Sequence, residues 1–125
     1  MKMLRMFAGL VLALAGGILL SPSANAMPQC PAGTFCLWNG TYASAGIAVF
    51  GLSDLNYDGD RFSDGTPVND RATYVRNNTN FPINLYKHAG ANIRDRCYTV
   101  QPGEEVHLQW TSCWASVSSH YATGV

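Results

Sequence analysis

Charge is scarce in this 125-residue chain: eight Lys and Arg against eight Asp and Glu leave a formal net charge of zero, with three His besides. No basic patch occurs, so no nucleic-acid partner is expected. No basic amphipathic helix occurs either, so the mature chain is expected to have no membrane partner. Gly-x-Ser-x-Gly and His-Glu-x-x-His are both missing, which removes two common hydrolase frames. Glu104 and Glu105 are adjacent, so on a strand they point to opposite faces and cannot make a facing glycosidase pair. His88, His107 and His120 are scattered without ligand spacing. The chain is read as a non-enzyme.

Long apolar runs are limited to one. Lys2 and Arg5 precede the uncharged stretch from Met6 to Leu20, which Ser21-Pro22 breaks. Ala24 and Ala26 then offer small residues at the −3 and −1 positions of a cut before Met27. Fifteen residues fall short of the ~20 that a spanning helix needs. Residues 1–26 therefore read as a secretion signal, and 27–125 as one extracellular domain, expected to be a monomer. No Cys follows the apolar run to carry a lipid. Without Lys2 and Arg5, the mature part holds six basic and eight acidic residues, a formal charge of −2.

Cysteine is sparse but even in number. Cys30, Cys36, Cys97 and Cys113 all follow the signal, and an even count in a short exported chain implies disulfides. Three pairings are open. Proximity favours Cys30–Cys36, which leaves Cys97–Cys113. The spacing does not suit the paired knuckles of a zinc site.

Helical periodicity is nearly absent. Gly, Asn, Asp, Ser and Pro punctuate short apolar runs, the rhythm of many short strands joined by turns. Strands are predicted over 34–38, 46–52, 72–76, 83–87, 96–100, 105–110 and 114–118. Leu52 to Val68 reads as a polar loop anchored by Phe62. Trp38, Phe50, Tyr86, Tyr98, Trp110 and Trp114 fall on strands and are expected to fill the core; an exposed aromatic stripe for glycan is the weaker alternative. The halves echo one another. Trp38, Val49-Phe50 and Asp70 to Val75 align with Tyr86, Cys97-Tyr98 and Cys113 to Ser118. Two four-stranded units, each unable to bury its apolar face alone, predict a sandwich.

Cys30-Pro-Ala-Gly-Thr-Phe-Cys36-Leu37-Trp38 resembles the opening of peptidase inhibitor family I36, the Streptomyces metalloproteinase inhibitor type. Phe62-Ser-Asp-Gly-Thr-Pro-Val-Asn-Asp-Arg-Ala-Thr-Tyr-Val-Arg-Asn77 is similar to its central motif. Cys97-Tyr98 with Val100-Gln101-Pro102-Gly103 is similar to its second-half motif. The resemblance implies an all-β, βγ-crystallin-like sandwich of two Greek keys, stapled by disulfides. It also implies a secreted inhibitor of extracellular, thermolysin-like metalloproteases that presents an exposed, substrate-like loop just before Cys97. Here that loop is His88 to Arg96, and it lacks a second Cys to close a ring. Thermolysin-type enzymes accept an apolar residue on the leaving side of the cut. Ile93 is the only large apolar residue available, flanked by Asn92 and Arg94. A surface turn with Ile93 tucked inward is the competing reading. Trp38, Tyr42 and Gly46 are spread apart relative to the crystallin signature, so an altered first hairpin is expected.

Calcium offers an alternative role, that of a crystallin-type structural module with no protease target. Asp54, Asn56 and Asp58 with Gly59 match the start of a calcium loop, and the Asp60 carbonyl is a further donor. Gly65 stands where the bidentate Glu is expected, and no helices flank the loop. Asn69, Asp70 and Thr73 resemble the crystallin calcium motif, with Tyr74 in place of its final Ser. No other cofactor is expected.

Overall fold

The computed structural model describes residues 26–125, so the expected signal lies outside the described residues except for Ala26. Eight short strands follow one another: β1 Phe35–Trp38, β2 Ile47–Phe50, β3 Ser53–Asp54, β4 Tyr74–Asn77, β5 Ile83–Tyr86, β6 Arg96–Val100, β7 Glu105–His107 and β8 Ser119–Ala122. They form two four-stranded antiparallel sheets, in the orders β2-β1-β4-β7 and β3-β8-β5-β6. In each half the fourth strand lies beside the first. The third strand of each half leaves for the other sheet: β3 pairs with β8, and β7 with β4.

Period-two alternation explains which side chains meet. Phe35 and Leu37 of β1, Ala48 of β2 and Val75 of β4 face Ile83 and Leu85 of β5, Val100 of β6 and Ala122 of β8 in one continuous core. Each fully buried aliphatic or Phe side chain contributes about 1.5–3 kcal/mol. Asn77 is one of the fully buried polar residues, with Ser119 and His120, and lies at the junction of the halves. Its Nδ2 donates to Phe81 O (2.7 Å) and Val100 O (2.9 Å), and its Oδ1 accepts from Thr79 N and Oγ1. Those four bonds meet the amide's full capacity.

The outer face of the first sheet is covered around Cys36 and Trp38 of β1. The Met27 to Cys30 segment packs over Trp38, whose Nε1 donates to Pro28 O at 3.0 Å. The Cys30–Cys36 disulfide and an Asn78 Nδ2 bond to Cys30 O hold this strap down. Gly46 is required in the first hairpin by close approach: a Cβ there would lie 2.7 Å from the Asp64 carboxyl and 2.8 Å from Phe62 Cβ.

The internal repeat is present but slipped. Trp38 and Tyr86 end the first strands of their halves, 48 residues apart, as aligned from sequence. The fourth strands start 45 apart, at Tyr74 and Ser119. Thr73 N bonds Trp38 O, and Ser118 N bonds Tyr86 O in the same way. Asp70 and Ala115, each four residues before its strand, both take positive φ (61° and 51°). The equivalent of Asp70 is therefore Ala115, two residues beyond the Cys113 that sequence alignment chose. That slip explains the misplaced last strand: 114–118 is a turn region, and β8 spans Ser119–Ala122.

Other expectations are corrected likewise. The strand predicted over 105–110 ends at His107, because Leu108–Trp110 forms a 3-10 turn held by Thr111 Oγ1 and Thr111 N on Leu108 O. Trp110 and Trp114 consequently leave the core and are 77% and 47% exposed. β3 was not predicted, since it is only two residues long. Phe62 is buried as the loop anchor, but so is Tyr57, which the polar run around it concealed.

Tyr57 meets His120, the second half's counterpart of Val75, inside the sandwich. Tyr57 Oη lies 2.5 Å from His120 Nδ1, and His120 Nε2 lies 3.2 Å from Gly51 O. A carbonyl only accepts, so Nε2 carries the proton and Nδ1 accepts from the tyrosine hydroxyl. Phe35 and Phe50 pack on the imidazole at 4.6 and 5.2 Å. Burial holds the His120 pKa down at about 4. Beside this pair, burial first and then the Asp54 carboxyl raise Asp60 to about 6. Burial, aided by the Asp54 and Asp60 charges, also pushes the Tyr57 hydroxyl up.

The two shifts oppose each other in one pH window. Unfolded His120 gains a proton near pH 6.5 and folded His120 only near 4, so its contribution, about 3 kcal/mol, is present above 6.5 and lost as pH falls through 4. Asp60 protonates earlier in the folded state, so its contribution is present below its unfolded pKa and lost as pH rises through about 6. The melting temperature is expected to fall between pH 6.5 and 4 by less than His120 alone would dictate, and Asp60→Asn to steepen that fall; parallel melts of the two proteins check this. The bridges supply a second expectation. Chain entropy assigns about 3 kcal/mol to the Cys97–Cys113 loop and about 2 to Cys30–Cys36. Denaturant titration should find the Cys97→Ser/Cys113→Ser protein the less stable of the two double variants.

Candidate functional site

The segment between β5 and β6 is a braced turn. After Gly90 (φ 98°) the chain passes through Ala91 at φ 52°, a left-handed conformation that costs a residue with a Cβ roughly 1–2 kcal/mol. Three contacts hold that bend in place. Gly90 N donates to Leu55 O (2.7 Å), Ala91 N to Ser119 Oγ (3.2 Å), and Ser119 Oγ to His88 O (2.7 Å). Asn92 then caps a 3-10 turn over Ile93–Asp95, its Oδ1 accepting from Arg94 N at 2.9 Å. Asp95 N returns to Asn92 O, and Lys87 N closes the base on Asp95 O. His88 Nδ1 lies 3.5 Å from Asp95 Oδ2.

Ile93 is thereby turned outward, 65% exposed, with Asn92 and Arg94 exposed on either side. The inward-tucked alternative is not what the fold adopts. The three residues stand together on one rigid turn, helical at Ile93 and extended only at the flanking Asn92 and Arg96. In place of the missing ring-closing Cys, rigidity comes from hydrogen bonds at the base and from Cys97, one residue past Arg96, bonded to Cys113. The Ser112 hydroxyl adds a 3.0 Å bond to Cys97 O.

The residues singled out for calcium are distributed differently. Asp54 Oδ1 accepts from Asn56 N, and Asn56 Oδ1 from Asp58 N, so these oxygens shape local turns. The Asp60 carbonyl accepts from Val68 N. The Asp60 carboxyl faces that of Asp54, and its Oδ2 is buried without a donor. Asp70 accepts from Ser118 Oγ at 3.1 Å, and Thr73 Oγ1 donates to Trp38 O at 3.3 Å, so both tie neighbouring segments together. Asn69 stands next to Asp70 on a turn. Among the described residues no three His, Cys, Asp or Glu side chains converge into a cation-holding group.

All four cysteines are bonded, so no thiolate nucleophile is present. His107 lies between the Tyr74 ring (5.9 Å) and the Trp114 ring (6.0 Å), with its Nδ1 buried and unpartnered. Sequence reading missed the exposure of Trp110 and Trp114. The run Thr111-Ser112 just before Cys113 was the available signal, because their hydroxyls can bond nearby backbone and close a turn, as Thr111 Oγ1 does with Leu108 O and Cys113 N.

Comparison with known proteins adds one finding. A family model described as peptidase inhibitor family I36 matches residues 23–100. Neither a curated protein nor a solved structure matches. The matched span runs from before Cys30 to the end of β6 and takes in the Phe62 to Asn77 motif, the Ile93 turn and Cys97-Tyr98. With well over half of its length inside that match, the chain belongs to peptidase inhibitor family I36.

Proposed function

We propose that this inhibitor is exported, loses residues 1–26, and blocks an extracellular metallopeptidase of the thermolysin type with the Ile93 turn. The single observation that carries the reading is the presentation of Ile93. It is the one large apolar side chain of its loop, outward-facing on a turn whose ordering cost is met by folding. An exposed aliphatic group held in this way suits a peptidase pocket that takes an apolar residue on the leaving side. The two disulfides favour an oxidising compartment, in keeping with export. We take the paired halves, with exchanged third strands, as βγ-crystallin-like, and the working unit as a monomer.

Ile93 is expected to behave as a hot spot. Replacing a central apolar anchor with a charge should weaken binding by about 100-fold. Inhibition constants of the wild type and Ile93→Asp against thermolysin test this, and equal values would remove Ile93 from the contact.

A calcium-strengthened module is the second reading, favoured by the facing Asp54 and Asp60 carboxylates and the donorless Asp60 oxygen. A divalent cation there would relieve their repulsion. Calcium should then raise the melting temperature of chelator-treated wild type but not of Asp60→Asn. A flat response in both rejects it.

A further inference from the structure

Trp110 and Trp114 lie beyond the span matched by the family, and the Ile93 turn does not account for them. Scattered exposed apolar residues are ordinary, whereas clustered ones mark contact surfaces. Both tryptophans flank Cys113, which is bonded to Cys97, four residues after Ile93. The Cα atoms of Cys97 and Cys113 are 5.3 Å apart. Chain reach then keeps the Cα atoms of Ile93 and Trp114 within about 23 Å of each other. One side of a standard protein interface is about 30 Å across, so both loops fit within a single contact. Trp114 is pre-ordered against His107, which lowers the cost of immobilising it on binding.

Charge marks the same end. Lys87, Arg94 and Arg96, half of the mature part's basic residues, sit within ten positions. All three are exposed, and none makes an ion pair among the described residues. Asp95 is the one carboxylate among them, in a protein whose mature part is otherwise net acidic.

We infer that Trp110 and Trp114 form a second docking element for the inhibited peptidase, continuous with the Ile93 turn, and that the complementary peptidase surface is apolar beside its cleft and acidic at its rim. This rests on the inhibitory reading above. Trp and Arg are the residue types that dominate binding hot spots. The cations act on encounter, where opposite charge raises association rates in a salt-dependent way.

The experiment uses protein secreted from the full-length chain, with thermolysin as the peptidase. Wild type, Trp110→Ala, Trp114→Ala, the double variant and Arg94→Gln are compared for inhibition constant, association rate at low and high salt, melting temperature and sedimentation. Each tryptophan substitution should raise the inhibition constant about tenfold while melting stays near wild type. Arg94→Gln should slow association several-fold at low salt, and the difference should vanish at high salt. Wild-type inhibition with both tryptophan variants unchanged overturns this inference alone. Loss of a wild-type dimer in those variants, without a change in inhibition, also overturns it, because the surface is then a self-contact. A wild type that does not inhibit thermolysin overturns both readings.

Discussion

Neither half of this protein can complete a sheet without the other. β3 leaves its own half to pair with β8, and β7 leaves its half to pair with β4. A four-strand unit that gives up its third strand exposes both a hydrogen-bonding edge and an apolar face. The exchange closes both deficits at once. The core is consequently continuous across the halves, from Phe35 and Val75 to Leu85 and Val100. Asn77 belongs to the same constraint, because its amide binds the carbonyls of Phe81 and Val100 at the point where the chain crosses over.

Much of this was legible in the sequence. Turn residues between short apolar runs gave the all-β class, the cysteine spacing favoured the observed bridges, and Phe62 stood out as the anchor of its polar stretch. What was not legible has physical causes. Repeat alignment assumed equal spacing in the halves, yet the first strands are 48 apart and the fourth strands 45. Once the last strand was set too early, His120 could not be recognised as the second half's counterpart of Val75. Its burial depends on Tyr57 and Gly51, 63 and 69 residues away, which leave no local trace.

The site was legible in part. Ile93 was identifiable as the sole large apolar residue of its loop, but its direction depends on contacts with Leu55 and Ser119, both distant in sequence. Trp110 followed the alternation of Val106 and Leu108 and was assigned to the core. A 3-10 turn resets that alternation, so period two stops being informative after His107. The Cys97–Cys113 bridge serves the site as well as the fold, because it joins the base of the Ile93 turn to the tryptophan-bearing loop.

The exchanged strands have a bearing on a protein that works among proteolytic enzymes. A cut in any one surface loop severs the chain but frees no piece. Each stretch on either side of such a nick stays hydrogen-bonded to strands beyond the nick, as β1 is to β4, β3 to β8 and β4 to β7, and the Cys97–Cys113 bridge spans breaks between residues 97 and 113. The molecule is built so that damage by its own quarry leaves it in one body.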